Sequence, residues 1–124
     1  MSQENPIVLY VGDTETEQWL AASLEPYGGY VYREDELLRI LGLHVTYMPD
    51  LVVLDARATP ELARKVFSHL LTVDAEPILV LDDCVDDYPD GIRVLTTSDK
   101  NDVLAQIGDL TGILFSLGEG AYYD

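Results

Sequence analysis

The chain is 124 residues long, 48% hydrophobic and 9% aromatic, which suffices for one compact domain with its own core and excludes both general disorder and a multidomain enzyme. Seven Lys and Arg face 23 Asp and Glu, a formal net charge of −16. So few cations argue against binding nucleic acid or an anionic membrane, because both interactions draw their affinity from Lys and Arg set against phosphate.

Ile7 to Val11 is a continuous apolar run of buried-strand length, closed by Gly12-Asp13. Thr14-Glu15-Thr16-Glu17 reads as a capping box, with Thr14 as N-cap and Glu17 reaching back. Trp19, Leu20, Ser23, Leu24 and Tyr27 follow at helical spacing until Pro26 and Gly28-Gly29 break the helix. Tyr30-Val31-Tyr32 predicts a short second strand, and Asp35 to about Val45 a second helix with Leu37, Leu38, Leu41 and Val45 as its inner stripe. After a turn at Pro49-Asp50, Leu51 to Leu54 predicts a third buried strand with Asp55 at its C-terminal end. Thr59 caps a helix that starts at Pro60 and carries Leu62, Val66, Leu70 and Leu71 along its core line. Pro77 leads into a fourth strand, Ile78 to Leu81, which runs into Asp82-Asp83, and Ile92 to Leu95 predicts a fifth. Ser98 caps the last helix, with Val103, Leu104, Ile107, Leu110, Leu114 and Leu117 on one face and Gly118 and Gly120 at its end.

Strands that are apolar throughout are covered on both faces, so they belong to a parallel sheet with helices on each side. The order of elements predicts a doubly wound α/β sandwich of five parallel strands in the order 2-1-3-4-5. Only the ten residues Asp82 to Gly91 separate strands 4 and 5, and they are rich in turn formers, so the helix of that connection is shortened or missing. In such sheets ligands bind at the carboxyl ends of the strands, beside the switch between strands 1 and 3, where Asp13 and Asp55 stand. No run of apolar residues approaches the roughly 20 that cross a bilayer.

With these positions in hand, residues 6 to about 117 resemble the receiver domain of two-component response regulators, most specifically at Pro49-Asp50-Leu51-Val52-Val53-Leu54-Asp55. The resemblance implies a flavodoxin-like fold, with a single domain over 1–124, a core of 6–117 and a tail of 118–124. It implies a part in phosphorelay signal transduction, with Asp55 accepting a phosphoryl group from a histidine kinase. It also implies Mg²⁺ held by Asp13, Asp55 and the backbone carbonyl of Arg57. The implied partner is a signalling protein, either a histidine kinase or a downstream effector, with a second copy of the chain as a further one. A carboxylate approaching a dianionic phosphoryl group at about 4 Å meets roughly 4 kcal/mol of repulsion at an effective dielectric of 20. Mg²⁺ and a Lys cancel that repulsion in the family and stabilise the spreading charge.

The chain departs from this pattern at several positions. Gly12 stands where the second acid after strand 1 belongs, and Asp82 replaces the Thr or Ser after strand 4. Thr97 lies near the place of the missing Lys after strand 5, Lys100 falls inside the last helix as an unpromising substitute, and Pro60 comes five residues after Asp55 rather than four. Losing one electrostatic contact of this kind costs about 3–4 kcal/mol of barrier. The sequence therefore reads as a degenerate receiver, a pseudo-receiver that signals by protein contact. A second reading keeps the fold as an interaction scaffold with neither phosphorylation nor catalysis. A metal-dependent hydrolase built on Asp13, Asp55 and Asp82 is the weakest reading, because so short a chain leaves little room for a substrate cap.

The excess of Asp with only two Lys resembles the cytosolic proteins of salt-adapted, halophilic organisms. The Debye length falls from about 8 Å at physiological salt to about 3 Å at 1 M, so spread surface charges scarcely interact in strong salt. A single cysteine, Cys84, forms no internal disulfide, and the first six residues carry no positive segment of a secretory signal, so a cytoplasmic location is expected. Asp82, Asp83, Asp86, Asp87 and Asp90 lack the spacing of a calcium loop, and the lone His44 and His69 lack that of a zinc site. Ile113 and Phe115 fall off the core line of the last helix and, with Tyr122 and Tyr123, form a candidate interaction patch.

Overall fold

A computed structural model of the chain describes residues 5–72, 77–83, 88–89, 92–97, 99–113 and 115. The elements are β1 (Ile7–Val11), α1 (Thr14–Leu24) with a 3₁₀ turn at Glu25–Tyr27, β2 (Tyr30–Arg33), α2 (Leu37–Tyr47), β3 (Leu51–Asp55), α3 (Pro60–Leu70), β4 (Ile78–Leu81), β5 (Arg93–Leu95) and α4 (Lys100–Thr111). All strand pairings are parallel, and the sheet runs β2-β1-β3-β4-β5, the order expected of the flavodoxin-like doubly wound fold. Among the described residues no helix lies between β4 and β5.

The apolar strands are buried on both faces because each face has its own helical layer. Val8, Tyr10, Leu51, Val53, Leu79 and Leu81 pack with Leu20 and Leu24 of α1 and with Val103 and Ile107 of α4. The alternate residues Leu9, Val11, Val52, Leu54 and Val80 pack with Ile40 of α2 and with Ala63, Val66, Phe67 and Leu70 of α3. Asp50 joins the starts of β1 and β3: the Ile7 amide donates to its Oδ2 at 2.8 Å, and its own amide donates to the Ile7 carbonyl at 2.7 Å. No helix among the described residues is long and apolar enough to cross a membrane.

Some expectations need correction. The inward residues of α2 are Ile40, fully buried, with Leu37 and Leu43 beside it, whereas Leu38 and Val45 are 81% and 75% exposed. The reason is that Leu-Leu-Arg-Ile-Leu-Gly-Leu-His-Val-Thr-Tyr offers apolar residues at helical spacing on more than one face, so periodicity alone does not select the buried one. The last helix ends at Thr111 rather than at residue 117, because Gly112 turns into the left-handed region at φ 85° and caps it. The chain then folds back. Ile113 enters the core, and the half-buried Phe115 lies over Gly108 and meets Tyr27 edge-on at 5.0 Å, the two lining a cavity of about 470 Å³ together with Leu104, Ala105, Gly108, Asp109 and Gly112. Tyr122 and Tyr123 lie outside the described residues. The N-caps of α1 and α4 are Asp13 and Asp99 rather than Thr14 and Ser98, and Ser98 also lies outside the described residues.

Ile40→Ala is expected to lower stability by about 2–5 kcal/mol, while Leu38→Ala changes it by no more than about 0.5 kcal/mol. Urea denaturation at fixed salt measures both, and the reverse order would turn the other face of α2 inward.

Candidate functional site

The site forms where β1 and β3 leave the sheet side by side. Their register pairs Val11 with Leu54, so the loop after β1 and the end of β3 emerge at the same rim. Asp55 ends β3 with 8% of its surface exposed, and Asp13 caps α1, its Oδ2 accepting from the Thr16 amide at 3.4 Å. The two acids meet through a residue that the sequence reading passed over. Tyr10 of β1 is fully buried, and its hydroxyl lies 3.0 Å from Asp13 Oδ1 and 2.8 Å from Asp55 Oδ2. The single phenolic proton is thus shared between two carboxylates. The other oxygen of Asp55, Oδ1, accepts from the Arg57 amide at 3.2 Å and the Ala58 amide at 3.1 Å.

The electrostatics follow from this geometry. Burial pushes the Tyr10 phenol well above its ordinary pKa of 10.0, the Asp55 charge and the bonds to both carboxylates add to the rise, and Thr16 opposes it. The phenol is therefore a neutral donor across the physiological range. Burial raises the Asp13 carboxyl, but hydrogen bonds from Thr16, Tyr10 and backbone amides outweigh it and hold the group below its ordinary 3.8.

Gly12 explains the missing second acid. A Cβ there would stand 2.2 Å from the Tyr10 hydroxyl oxygen and 2.4 Å from the adjoining ring carbon, so a side chain at 12 would force the phenol out of its place. Arg33 secures this turn by donating to the Gly12 carbonyl at 3.0 Å while pairing with Glu17 at 3.4 Å and with Asp35.

A second layer closes the rim. The Arg57 guanidinium donates to the carbonyls of Thr96 and Thr97 at 3.1 Å each and lies 3.9 Å from Asp83, tying the β3 loop to the β5–α4 loop. Thr97 Oγ1 accepts from the Asp99 amide at 3.1 Å. Asp82 is engaged elsewhere, accepting from the Tyr88 hydroxyl at 2.6 Å, and Tyr88 meets Phe67 edge-on. Lys100, the first residue of α4, holds its ammonium 5.3 Å from the Trp19 ring centroid. A cavity of about 120 Å³ beside Asp55 is lined by Thr16, Trp19, Arg57, Leu81, Lys100 and Val103. Arg57 and Lys100 thus bring positive charge to the rim from positions other than the one the resemblance implies.

The arrangement does not fit Mg²⁺. That ion requires near-octahedral oxygen ligands and retains several waters. Here the Tyr10 hydroxyl stands between the two acids, where an ion shared by them would sit, and Asp55 Oδ1 already accepts two backbone amides. Among the described residues no three His, Cys, Asp or Glu side chains are grouped to hold a metal ion. A tyrosine inside an apolar strand, two residues before a glycine at an acidic position, is the sequence signal that reveals Tyr10 as the occupant: positions 10 and 12 share a face, and volume moves from one to the other.

No family model and no curated protein sequence matches the chain. Among solved structures it is similar to a response regulator receiver protein from Burkholderia phymatum, with 23% identity, a TM-score of 0.68 and coverage of 90% of this chain and 99% of that one. It is similar to the pseudo-receiver domain of the CikA protein at 18% identity and a TM-score of 0.59, over 85% of this chain and 95% of that one. A chain of the complex between histidine kinase ThkA and response regulator TrrA is similar at 14% identity and a TM-score of 0.65, over 85% of this chain and 97% of that one. The chain therefore has the receiver fold.

Tyr10→Phe is expected to cost about 1.5–3 kcal/mol, because it withdraws a donor from the buried Asp55 carboxylate and from the half-buried Asp13. A loss under about 0.5 kcal/mol in urea denaturation would show that the hydroxyl holds nothing together. The pH dependence has two limbs. The lowered Asp13 adds stability that is complete above its ordinary 3.8 and lost as pH falls below it, and Asp13→Asn should flatten that limb. The raised Tyr10 phenol adds stability that fades as pH climbs past 10.0, where the unfolded chain alone ionises it, and Tyr10→Phe should flatten that limb.

Proposed function

We propose that the chain is a receiver-like signalling module that acts through protein contact, with Asp55 as a structural hydrogen-bond acceptor in place of a Mg²⁺-dependent phosphoryl acceptor. The observation that carries this reading is the Tyr10 hydroxyl between Asp13 and Asp55. Phosphoryl transfer to a carboxylate needs a cation to offset charge at the moment of attack. Here that place is taken by a neutral phenol, and the nucleophilic oxygens are already bonded to it and to two backbone amides. Arg57 is committed to backbone carbonyls across the rim. Asp82 replaces the family's Thr or Ser and Thr97 lies near the place of its Lys, and their bonds to the Tyr88 hydroxyl and the Asp99 amide fasten the loops after β4 and β5.

The receiver fold supports a signalling role. Similar chains include the CikA pseudo-receiver and a chain from the kinase–regulator complex of ThkA with TrrA. The partner of this chain is then another signalling protein, recognised by surface rather than by phosphorylation state. The reading assigns the domain no catalysis of its own.

Acetyl phosphate or beryllofluoride with Mg²⁺ at molar salt should leave the intact mass and the backbone amide spectrum around Asp55 unchanged. An adduct that disappears in Asp55→Asn would sink the reading. The double variant Tyr10→Leu with Gly12→Asp restores both room and a second acid, and should bind Mg²⁺ at least tenfold more tightly than the parent chain in a calorimetric titration.

A further inference from the structure

Gly112 turns the chain back along α4, and the close approach that follows is made over Gly108. A Cβ at Gly108 would stand 2.5 Å from the Ile113 carbonyl oxygen and 3.3 Å from a ring carbon of Phe115, so the returning segment lies against the helix itself. Ile113 is buried, and Phe115 is half-buried against Tyr27. Helix and returning segment together line the open cavity of about 470 Å³ at Leu104, Ala105, Gly108, Asp109, Ile113 and Phe115, a volume in the range of small-ligand clefts. The lining is apolar apart from the exposed Asp109 at its edge, whose carboxylate pairs with Arg93 at 2.8 Å.

Tether, charge and chemistry select the occupant. The sequence continues past Phe115 as Ser116-Leu117-Gly118-Glu119-Gly120-Ala121-Tyr122-Tyr123-Asp124, outside the described residues. This segment departs from a residue that itself lines the cavity. Tyr122 is seven residues beyond Phe115, a reach of about 23 Å when extended. The length of α4 from Gly112 back to Leu104 is only about 12 Å. Gly118 and Gly120 allow the slack to be taken up in a turn. A tether this short holds the tyrosines at an effective concentration of millimolar order. A second copy would have to match that concentration in free solution while bringing another body of −16 to the same face. An apolar lining with a carboxylate at its edge suits an uncharged aromatic side chain that ends in a hydrogen-bond donor, which describes tyrosine.

We infer that the Tyr122-Tyr123 pair folds back into the cavity beside α4, with one ring against Leu104, Ala105 and Phe115 and its hydroxyl donating to Asp109. The segment is then the domain's own plug: this face of α4 is closed while the tyrosines are seated and open when they are withdrawn, and a partner that reads the face has to displace them. The inference goes beyond the contact reading above and uses neither Asp55 nor phosphoryl chemistry, so each can fail without the other.

The test is solution NMR on the full chain, with thermal melts as a second readout. Nuclear Overhauser contacts are expected from a ring of Tyr122 or Tyr123 to the methyl groups of Leu104 and Ala105. The double variant Tyr122→Ser with Tyr123→Ser should shift the amide signals from Leu104 to Gly112 and lower Tm by about 3–5 °C. Ala105 is exposed, so Ala105→Glu leaves the helix intact while placing a charge in the cavity. In that background the tyrosine substitutions should have little further effect, because the contact they remove is already gone. Absence of the ring contacts together with unchanged amide signals overturns the inference, as do equal losses of Tm in the two backgrounds. Mixing isotope-labelled with unlabelled chain separates contacts within one molecule from contacts between two. Ring contacts found only between molecules also overturn the inference and give the cavity to a second copy.

Discussion

The rim of this domain depends on one phenolic proton shared by two carboxylates. Both Asp13 Oδ1 and Asp55 Oδ2 lie within 3.0 Å of the Tyr10 hydroxyl, so they cannot be more than about 6 Å apart. At that distance two full charges repel by roughly 3 kcal/mol at an effective dielectric of 20. A divalent cation would reverse that sign outright. A neutral donor offsets only part of it, and the backbone amides of Thr16, Arg57 and Ala58 supply the remaining support. The result is an acidic pair stable without a metal, at the expense of the open coordination that metal-dependent chemistry needs. Gly12 is the necessary companion of Tyr10, since any side chain there would collide with the ring.

The layout of the sheet was legible because β1, β3 and β4 are short, apolar and buried on both faces, and a parallel sheet is the arrangement that satisfies such strands. Asp13 and Asp55 could be placed at one rim for the same reason. What escaped the sequence reading was decided by tertiary packing. Tyr10 reads as one more apolar strand residue until Gly12 is seen to vacate the space above it. The buried face of α2 could not be chosen, because Leu37 with Ile40 and Leu38 with Leu41 obey the same period. The end of α4 was hidden by Leu114 and Leu117, which continue the pattern past a glycine whose left-handed backbone stops the helix.

The scarce cations show how so acidic a chain holds its loops. Arg33 pins the Gly12 turn, Arg57 ties the β3 loop to the β5–α4 loop, and Arg93 reaches from β5 to Gln106 and Asp109 of α4. Exposed ion pairs contribute little to stability. Arg33 and Arg57 do more, because they also donate to backbone carbonyls that the loops would otherwise leave to water, and a guanidinium presents enough donors to do both. Their role is positional, and it falls on the segments that border Asp13 and Asp55.

A rim fastened in this way constrains how the domain can carry information. A receiver that switches must let its loops after β4 and β5 move when the acceptor changes charge. Here Asp82 is bonded to Tyr88, the β5–α4 loop to Arg57, and the acceptor position to Tyr10. Moving any one of them breaks a hydrogen bond to a charged group, each worth about 1.5–3 kcal/mol, and on the proposed reading no phosphoryl charge arrives to offset the loss. Two states separated by several such bonds would leave the second populated at well under one part in a hundred. On that reading a signal travels as occupancy of a surface rather than as a change of shape. That requires a face whose chemistry differs from the acidic remainder, and the exposed apolar residues Leu38, Val45, Tyr47 and Met48 of α2 and its end have that character.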